Sequence, residues 1–340
     1  MARLLVACVV GASMFQLVLR GWAQSVWYGG ITWSPTGDYI AFLSVAMSSP
    51  SREIFSLFVP EVDREAFLTV VDRRGGTVSR MRIPTPAGYG WTTRSELVIG
   101  YSGGSGDEET RGWRVFTVHG QQRGQILPIR EVSRVGVWSL SPDGRYLAYV
   151  GVRPGASLDD LLVIQRLDDR RIIMRLPIDA YVDQLVWDTD PLRIAAVGGE
   201  FIWLCSIADK QAVTTRKIRR AQYYSGKIAL RGMIAVNFSD KGLGLIPVGQ
   251  PQRTRHLATG SVLKGSFAPG SKELFALLMP ADAGDATTTL LSVGRLSLPM
   301  GLHHLRQVAR GPIADFCWSP DGKEIAYLTD TGRVEMLPIR

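Results

Sequence analysis

A short motif that recurs along the chain constrains the fold more than any other feature. An apolar run ending in an aromatic residue leads into a turn rich in Ser, Pro, Asp and Gly, which a short β-type run follows. The clearest copies, at residues 33–42, 141–149 and 318–327, read WSPTGDYIAF, SPDGRYLAY and WSPDGKEIAY. Proline presets φ in such a turn, Asp hydrogen-bonds to its own backbone, and Gly accepts positive φ. The motif therefore predicts a chain reversal between two strands, with the aromatic packed between neighbouring repeats.

The spacing of the copies predicts the architecture. Weaker copies follow Trp91, Trp187 and Phe267, and a copy without the signature lies near residues 228–236. The markers at 33, 91, 140, 187, about 228, 267 and 318 recur every 40 to 50 residues or slightly more. That period, with short strands and Gly-rich turns, is typical of a β-propeller. We predict an all-β fold, a seven-bladed β-propeller of four-stranded antiparallel blades, with six blades possible if the degenerate copy merges with a neighbour.

The N-terminal segment has the composition of an export signal. Arg3 precedes an apolar stretch at residues 4–19, and the small residues Gly21 and Ala23 follow it. The stretch is shorter than the roughly 20 residues that a spanning helix needs. We interpret residues 1–23 as a signal peptide, or alternatively an N-terminal anchor, and residues 24–340 as the propeller domain. The product is then periplasmic or secreted. An uncleaved segment would instead anchor it in the membrane, facing outward.

Closure of the ring remains open at this stage. Only 22 residues follow Trp318, which is room for three strands of the last blade. A fourth strand would have to come from residues before Trp33. Cleavage after Ala23 leaves residues 24–32 for that strand and for the innermost strand of the first blade. Either the last blade is three-stranded or the cut lies earlier.

Composition and short motifs argue against several classes of function. The chain has 39 basic and 31 acidic residues, a net charge of +8 that is too dilute over 340 residues to indicate nucleic-acid binding. The segment from Gly100 to Gly104 fits G-x-S-x-G, but a Gly-rich polar loop follows where a hydrolase needs a helix. The four histidines have no metal-ligand spacing. We predict no catalytic residue, no metal and no cofactor.

The repeats resemble those of the TolB-like propellers, a bacterial branch of the WD-repeat-like superfamily with W-S-P-D-G followed by an Ile-Ala-Tyr type strand. Residues 318–327 match this pattern closely, and residues 33–42 and 141–149 match it nearly as well. The looser copies extend the resemblance over most of residues 30–340. The resemblance implies a propeller fold and leaves the function open, because the family includes both a periplasmic Tol-system protein and propeller domains of proteases. The separate N-terminal α/β domain of the Tol protein has no counterpart here.

Two groups of residues are candidates for binding. Long connections between second and third strands are expected at residues 44–66, 100–112, 151–159 and 279–289, and loops on a rigid scaffold often carry recognition. The first contains an apolar run with Phe55 and Phe58, which would either dock a partner or pack on its own blade. The inner strands and their entry loops offer polar side chains toward the axial funnel: Tyr89, Arg134, Asp183, Tyr223, Lys264 and Asp315.

These observations favour a non-enzymatic scaffold. We expect an exported monomer that presents its long loops to a protein partner in the cell envelope. Two alternatives stay open. One is a propeller enzyme of the lactonase or hydrolase type that uses the axial funnel, for which Asp183 and Asp315 supply acids. The other is an accessory subunit of an envelope complex, held at the membrane through residues 4–19.

Overall fold

The fold is described from a computed structural model. It describes residues 25–47, 65–83, 87–101, 112–155, 161–178, 181–189, 192–198, 201–208, 212–219, 227–232, 234–239, 242–248, 250, 253–257, 259–282, 285–297 and 301–339. Within these residues the regular structure is β-sheet, and no helix there is long and apolar enough to cross a bilayer.

The strands form consecutive antiparallel sheets in chain order. The first sheet contains β1 (Ser25–Trp33), β2 (Tyr39–Met47), β3 (Ala66–Asp72) and β4 (Thr77–Ile83), and the second β5 (Ala87–Trp91), β6 (Leu97–Tyr101), β7 (Trp113–Phe116) and β8 (Gln122–Ile126). The third contains β9 (Arg134–Leu140), β10 (Tyr146–Val152), β11 (Leu161–Arg166) and β12 (Ile172–Pro177), and the fourth β13 (Val182–Thr189), β14 (Leu192–Gly198), β15 (Phe201–Ala208) and β16 (Ala212–Arg219).

The remaining sheets continue the same order. The fifth contains β17 (Lys227–Arg231), β18 (Ile234–Ser239), β19 (Gly242–Pro247) and β20 (Arg255–Leu257), and the sixth β21 (Lys264–Phe267), β22 (Leu274–Asp282), β23 (Asp285–Ser297) and β24 (Gly301–Gly311). The last contains β25 (Ile313–Trp318), β26 (Glu324–Thr329) and β27 (Val334–Pro338). The copy near residues 228–236 thus forms a complete sheet although it lacks the sequence signature.

The first strands of the sheets lie side by side around an axis. Strand β9 contacts β5 and β13, β17 contacts β13 and β21, and β25 contacts both β21 and β1, which closes the ring. Each sheet therefore packs one face on the sheet before it and the other on the sheet after it. This is the propeller arrangement that the repeat predicts, with four-stranded antiparallel blades.

The strand count of the last sheet bears on ring closure, which the sequence left open. Six sheets have four strands, but within the described residues the sheet of β25, β26 and β27 has only three. Residues 25–33 cannot supply the fourth strand, because they form β1 and pair with β2 along their length. Six complete four-stranded blades are therefore present in the described residues, a number that the sequence prediction allowed.

The predicted turn chemistry is confirmed. The hydroxyl of Ser141 accepts a hydrogen bond from the Tyr146 amide at 2.9 Å and donates one to Asp143 at 2.5 Å. The copy at Ser319 repeats both bonds, to the Glu324 amide at 2.9 Å and to Asp321 at 2.6 Å. The glycine of each turn has a φ of about +70°. This left-handed conformation is cheap only for glycine.

The aromatic markers hold adjacent blades together. The Trp187 ring stacks on Tyr146 of the preceding sheet, with 6.4 Å between ring centroids, and its indole N–H donates to the Ser139 carbonyl at 3.4 Å. Trp91 and Trp318 make the same type of bond to the sheet before them. Each of these three tryptophans thus fills the space between two sheets and also satisfies its one polar atom there.

Candidate functional site

The inner strands carry five of the residues predicted to face the funnel. Tyr89 lies on β5, Arg134 on β9, Asp183 on β13, Lys264 on β21 and Asp315 on β25. Tyr223, Phe55 and Phe58 lie outside the described residues. The loop patch and one funnel position therefore remain predictions from the sequence.

Lys264 and Asp315 form an ion pair across the last two sheets. The ammonium of Lys264 donates to Oδ1 of Asp315 at 2.5 Å and to the Phe316 carbonyl at 2.7 Å. It also lies 5.3 Å from the centroid of the Phe316 ring. On the other side, the amide of Ile31 in β1 donates to Oδ2 of Asp315 at 3.1 Å. One carboxylate thus joins the sixth, last and first sheets at the point where the ring closes.

Tyr89 extends this polar cluster to the second sheet. Its hydroxyl lies within hydrogen-bonding distance of the carbonyl oxygens of Gly30 and Ala41 in the first sheet, at 2.7 Å from the latter. Burial raises the pKa of Tyr89 well above its usual value, and the nearby Cys317 and Asp315 add to the shift. The phenol therefore stays protonated at neutral pH. It acts as a hydrogen-bond donor rather than as a base.

The chemistry available to this cluster is structural. Asp315 also accepts from the Phe316 amide at 2.8 Å, so both carboxylate oxygens have protein partners. Burial raises the pKa of the Cys317 thiol, and the Lys264 ammonium offsets only part of that rise. A protonated thiol is a poor nucleophile. Within the described residues, no group of three His, Cys, Asp or Glu side chains could hold a metal ion.

The other two predicted funnel residues lie elsewhere on the ring. Arg134 is exposed at the start of β9 in the third sheet, and Asp183 is half-buried in β13 of the fourth. Neither sheet neighbours the pair of sheets that contain Lys264 and Asp315. Asp183 and Asp315, the two acids that the enzyme alternative would use, therefore lie on sheets that are not neighbours.

A cavity of about 270 Å³ lies along the inner strands of the first three sheets. Tyr89 and Trp138 line it, together with the turn at Ser141 that ends β9. A Cβ on Gly90 would come within 2.8 Å of the Leu140 side chain, so a glycine is what allows the second and third sheets to approach here. Glycines and aromatic residues make up more than half of the cavity's lining.

A buried ion pair between the fourth and fifth sheets escaped the sequence analysis. Arg231 Nη1 lies 3.6 Å from Asp188 Oδ1, with side-chain exposures of 7% and 0%. The second Asp188 oxygen accepts from the Gly232 amide. The signal was present: Asp188 follows the marker Trp187 at the position where four other copies have Ser or Thr. This side chain reaches the next blade.

The connections between second and third strands differ sharply around the ring. Residues 48–65, 102–112 and 153–160 make these connections in the first, second and third sheets. In the four later sheets they are residues 199–200, 240–241, 283–284 and 330–333. The long loop predicted at residues 279–289 is therefore wrong, because β22 and β23 extend toward each other and pair as far as Asp282 and Asp285.

Comparisons with known proteins find the fold but no family. No protein-family model matches the chain, and no curated protein does. Kuenenia stuttgartiensis hydrazine synthase is 12% identical with a TM-score of 0.50, over 91% of this chain and 94% of that chain. Kluyvelomyces marxianus Hsv2 is 14% identical with a TM-score of 0.45, over 74% of this chain and 72% of that chain. KlHsv2 with loop 6CD replaced by a Gly-Ser linker is 16% identical with a TM-score of 0.46, over 74% of this chain and 76% of that chain.

At such identities the likeness extends to the fold alone. The chain is a β-propeller. The strand ends that lead into its long connections lie on one rim of this propeller, because a second strand ends at the rim where the innermost strand begins. The cavity at Ser141 lies toward the opposite rim, where the innermost strands end.

Proposed function

We propose that this propeller is an exported, non-enzymatic scaffold that binds a protein partner in the cell envelope. Its relationship would be to the TolB-like propellers, which the W-S-P-D-G copies support. The three-stranded sheet would serve as a seventh blade. Residues 1–23 would direct export, with an uncleaved anchor at residues 4–19 as the alternative.

The observation that carries the proposal is the clustering of long loops. Three consecutive sheets have second-to-third strand connections of eight residues or more, whereas the other four sheets have connections of two to four residues. Stability of the ring does not need this asymmetry, since the later sheets form with short links. Long loops held by a rigid scaffold are a common form of protein-binding surface.

The inner strands support a scaffold rather than a reaction centre. Lys264 and Asp315 bond to each other, and Asp315 and Tyr89 both bond to the first sheet, so that four consecutive sheets of the ring are tied together. Groups that are already satisfied by buried partners are costly to free for a substrate. They serve to fix the platform from which the loops project.

The test is capture of a partner by loop variants. The full chain, and variants in which residues 48–64 or 102–111 are replaced by Gly-Ser linkers of equal length, are incubated with envelope extract and cross-linked. We expect one protein to be recovered in stoichiometric amount by the parent and to be lost with either loop. Replacement of residues 167–171, the turn between β11 and β12 on the opposite rim, is the control and should retain capture.

Two results would overturn the proposal. Equal capture by the parent and both loop variants would remove the loops as the binding surface. Bound metal together with turnover of a lactone or ester would establish the enzyme alternative instead.

A further inference from the structure

The edge of the three-stranded sheet borders a groove. Its volume is about 520 Å³, and it lies between the start of β27 and the face of the first sheet. Phe42, Thr69 and Val71 form the floor on the first sheet, and Gly332 to Val334 form the opposite wall. In each of the six other sheets a fourth strand covers the third strand at this position. The groove therefore lies where the last sheet has no fourth strand within the described residues.

The backbone of β27 is prepared for a further pairing. The Thr329 amide donates to the Arg333 carbonyl and the Ile339 amide to the Lys323 carbonyl, both at distances of 2.8 to 2.9 Å. Bonding pairs alternate along an antiparallel ladder, so the odd-numbered residues of β27 bond to β26. The amides of Val334 and Met336 then point away from the sheet. An unpaired edge of this kind is a template for another strand.

The walls of the groove are positively charged. Arg74, Arg80 and Arg333 line it. Arg333 lies 3.7 Å from Glu335, whereas no described carboxylate pairs with Arg74 or Arg80. The Arg80 guanidinium lies 4.2 Å from the centroid of the Phe67 ring, which holds it along the outer strand of the first sheet. A strand that enters here would meet at least two unneutralised cations.

The chain's own N-terminal segment fits this charge poorly. Residues 1–24 contain Arg3 and Arg20 and no Asp or Glu. A strand from this segment would bring no carboxylate to neutralise an arginine-lined groove. An acidic strand from another protein would neutralise the groove and also supply backbone partners to β27.

We propose that β27 and the groove beside it bind an extended, acidic segment of a partner protein, which adds to the last sheet as its fourth strand. Backbone pairing with Val334 and Met336 provides affinity, and Arg74 and Arg80 select for acidic side chains on alternate positions. This site rests on the proposed scaffold function and gives it a partner chemistry.

The probe is a labelled, acetylated peptide of about eight residues that alternates Glu and Val, a typical strand length. Binding to the full chain is measured by fluorescence anisotropy at low and high salt. We expect saturable binding that weakens with salt, and no binding of the matching Lys–Val peptide. The variant Arg80→Glu should weaken binding about tenfold. Arg123→Glu on β8, the outer strand of the next sheet, is the matched control and should leave it unchanged.

Two further measurements separate strand pairing from simple charge attraction. N-methylation of alternate peptide amides blocks one edge of the peptide, so one methylation register should abolish binding and the other should retain it. Residue-resolved hydrogen exchange should show Val334 and Met336 becoming protected only when peptide is added.

The proposal is overturned if both methylation registers bind equally or if Arg80→Glu and Arg123→Glu behave alike. It is also overturned if the two amides are already protected without peptide, because residues 1–24 or a second copy would then fill the groove. None of these results affects capture of an envelope protein through the loops at residues 48–64 and 102–111. The scaffold function and this site therefore fail separately.

Discussion

Replacement of Asp315 by Ala tests whether the ring is held closed by a single carboxylate. The change removes the acceptor of the Lys264 ammonium at 2.5 Å and of the Ile31 amide at 3.1 Å, which belong to the sheets on either side. Hydrogen bonds to a charged group contribute about 1.5–3 kcal/mol each. The Lys264 side chain is 32% exposed and can rehydrate, which reduces its share, but the Ile31 amide is left buried without a partner. We expect a loss of about 3 kcal/mol in the free energy of unfolding.

The assay is urea unfolding followed by tryptophan fluorescence and circular dichroism. Glu131→Ala is the matched control, because Glu131 also pairs with a cation, Arg175, at 3.0 Å, but both side chains are about half exposed. That change should cost at most about 1 kcal/mol. Asp315→Asn should fall between the two, since its amide oxygen can still accept from Ile31. Equal losses for Asp315→Ala and Glu131→Ala would refute the role of Asp315 in closure.

Three other perturbations probe the packing between blades. Arg231→Met should cost about 3–5 kcal/mol in urea unfolding because it removes the cation beside the buried Asp188 carboxylate, and the double variant with Asp188→Leu should recover most of that loss. Gly144→Ala should lower the melting temperature more than Gly270→Ala: both have φ near +70°, but a Cβ on Gly144 meets neighbouring backbone at 2.4 Å and one on Gly270 meets nothing. Burial raises the pKa of Cys205 to about 12, so mass spectrometry should show that iodoacetamide at pH 8 modifies this thiol only after denaturation. The free energy of unfolding should also fall as pH rises above about 8.5, because the thiol then ionises in the unfolded chain but not in the folded one.

The repeat predicted most of the architecture because its chemistry is local. A Ser-Pro-Asp-Gly turn closes through bonds within six residues, as Ser141 shows, so its presence in the sequence implies its geometry. Even the copy near residue 228, which has lost the turn residues, forms its sheet because its apolar strands pack between two neighbours. The strand count of the last sheet was left open, since it depends on which distant segment pairs with β27.

The candidate site was predicted only in part. Lys264 and Asp315 were both chosen as polar residues of inner strands, but their pairing depends on the stagger of two adjacent sheets. The buried pair of Asp188 and Arg231 was missed because the two residues lie on different blades and each resembles a surface residue in its local sequence. The loop predicted at residues 279–289 was wrong because β22 and β23 continue their pairing through a polar stretch.

The sequence by itself determined the repeating unit and the aromatic residues that lie between the units. Both follow from turn conformation and hydrophobic alternation, which act over a few residues. Only the tertiary structure decided how the ring closes, which charges are buried in pairs, and that among the described strands one blade has an open edge beside an arginine-lined groove. These features arise from contacts between blades, where the relative position of two sheets rather than the preference of either one sets which groups meet.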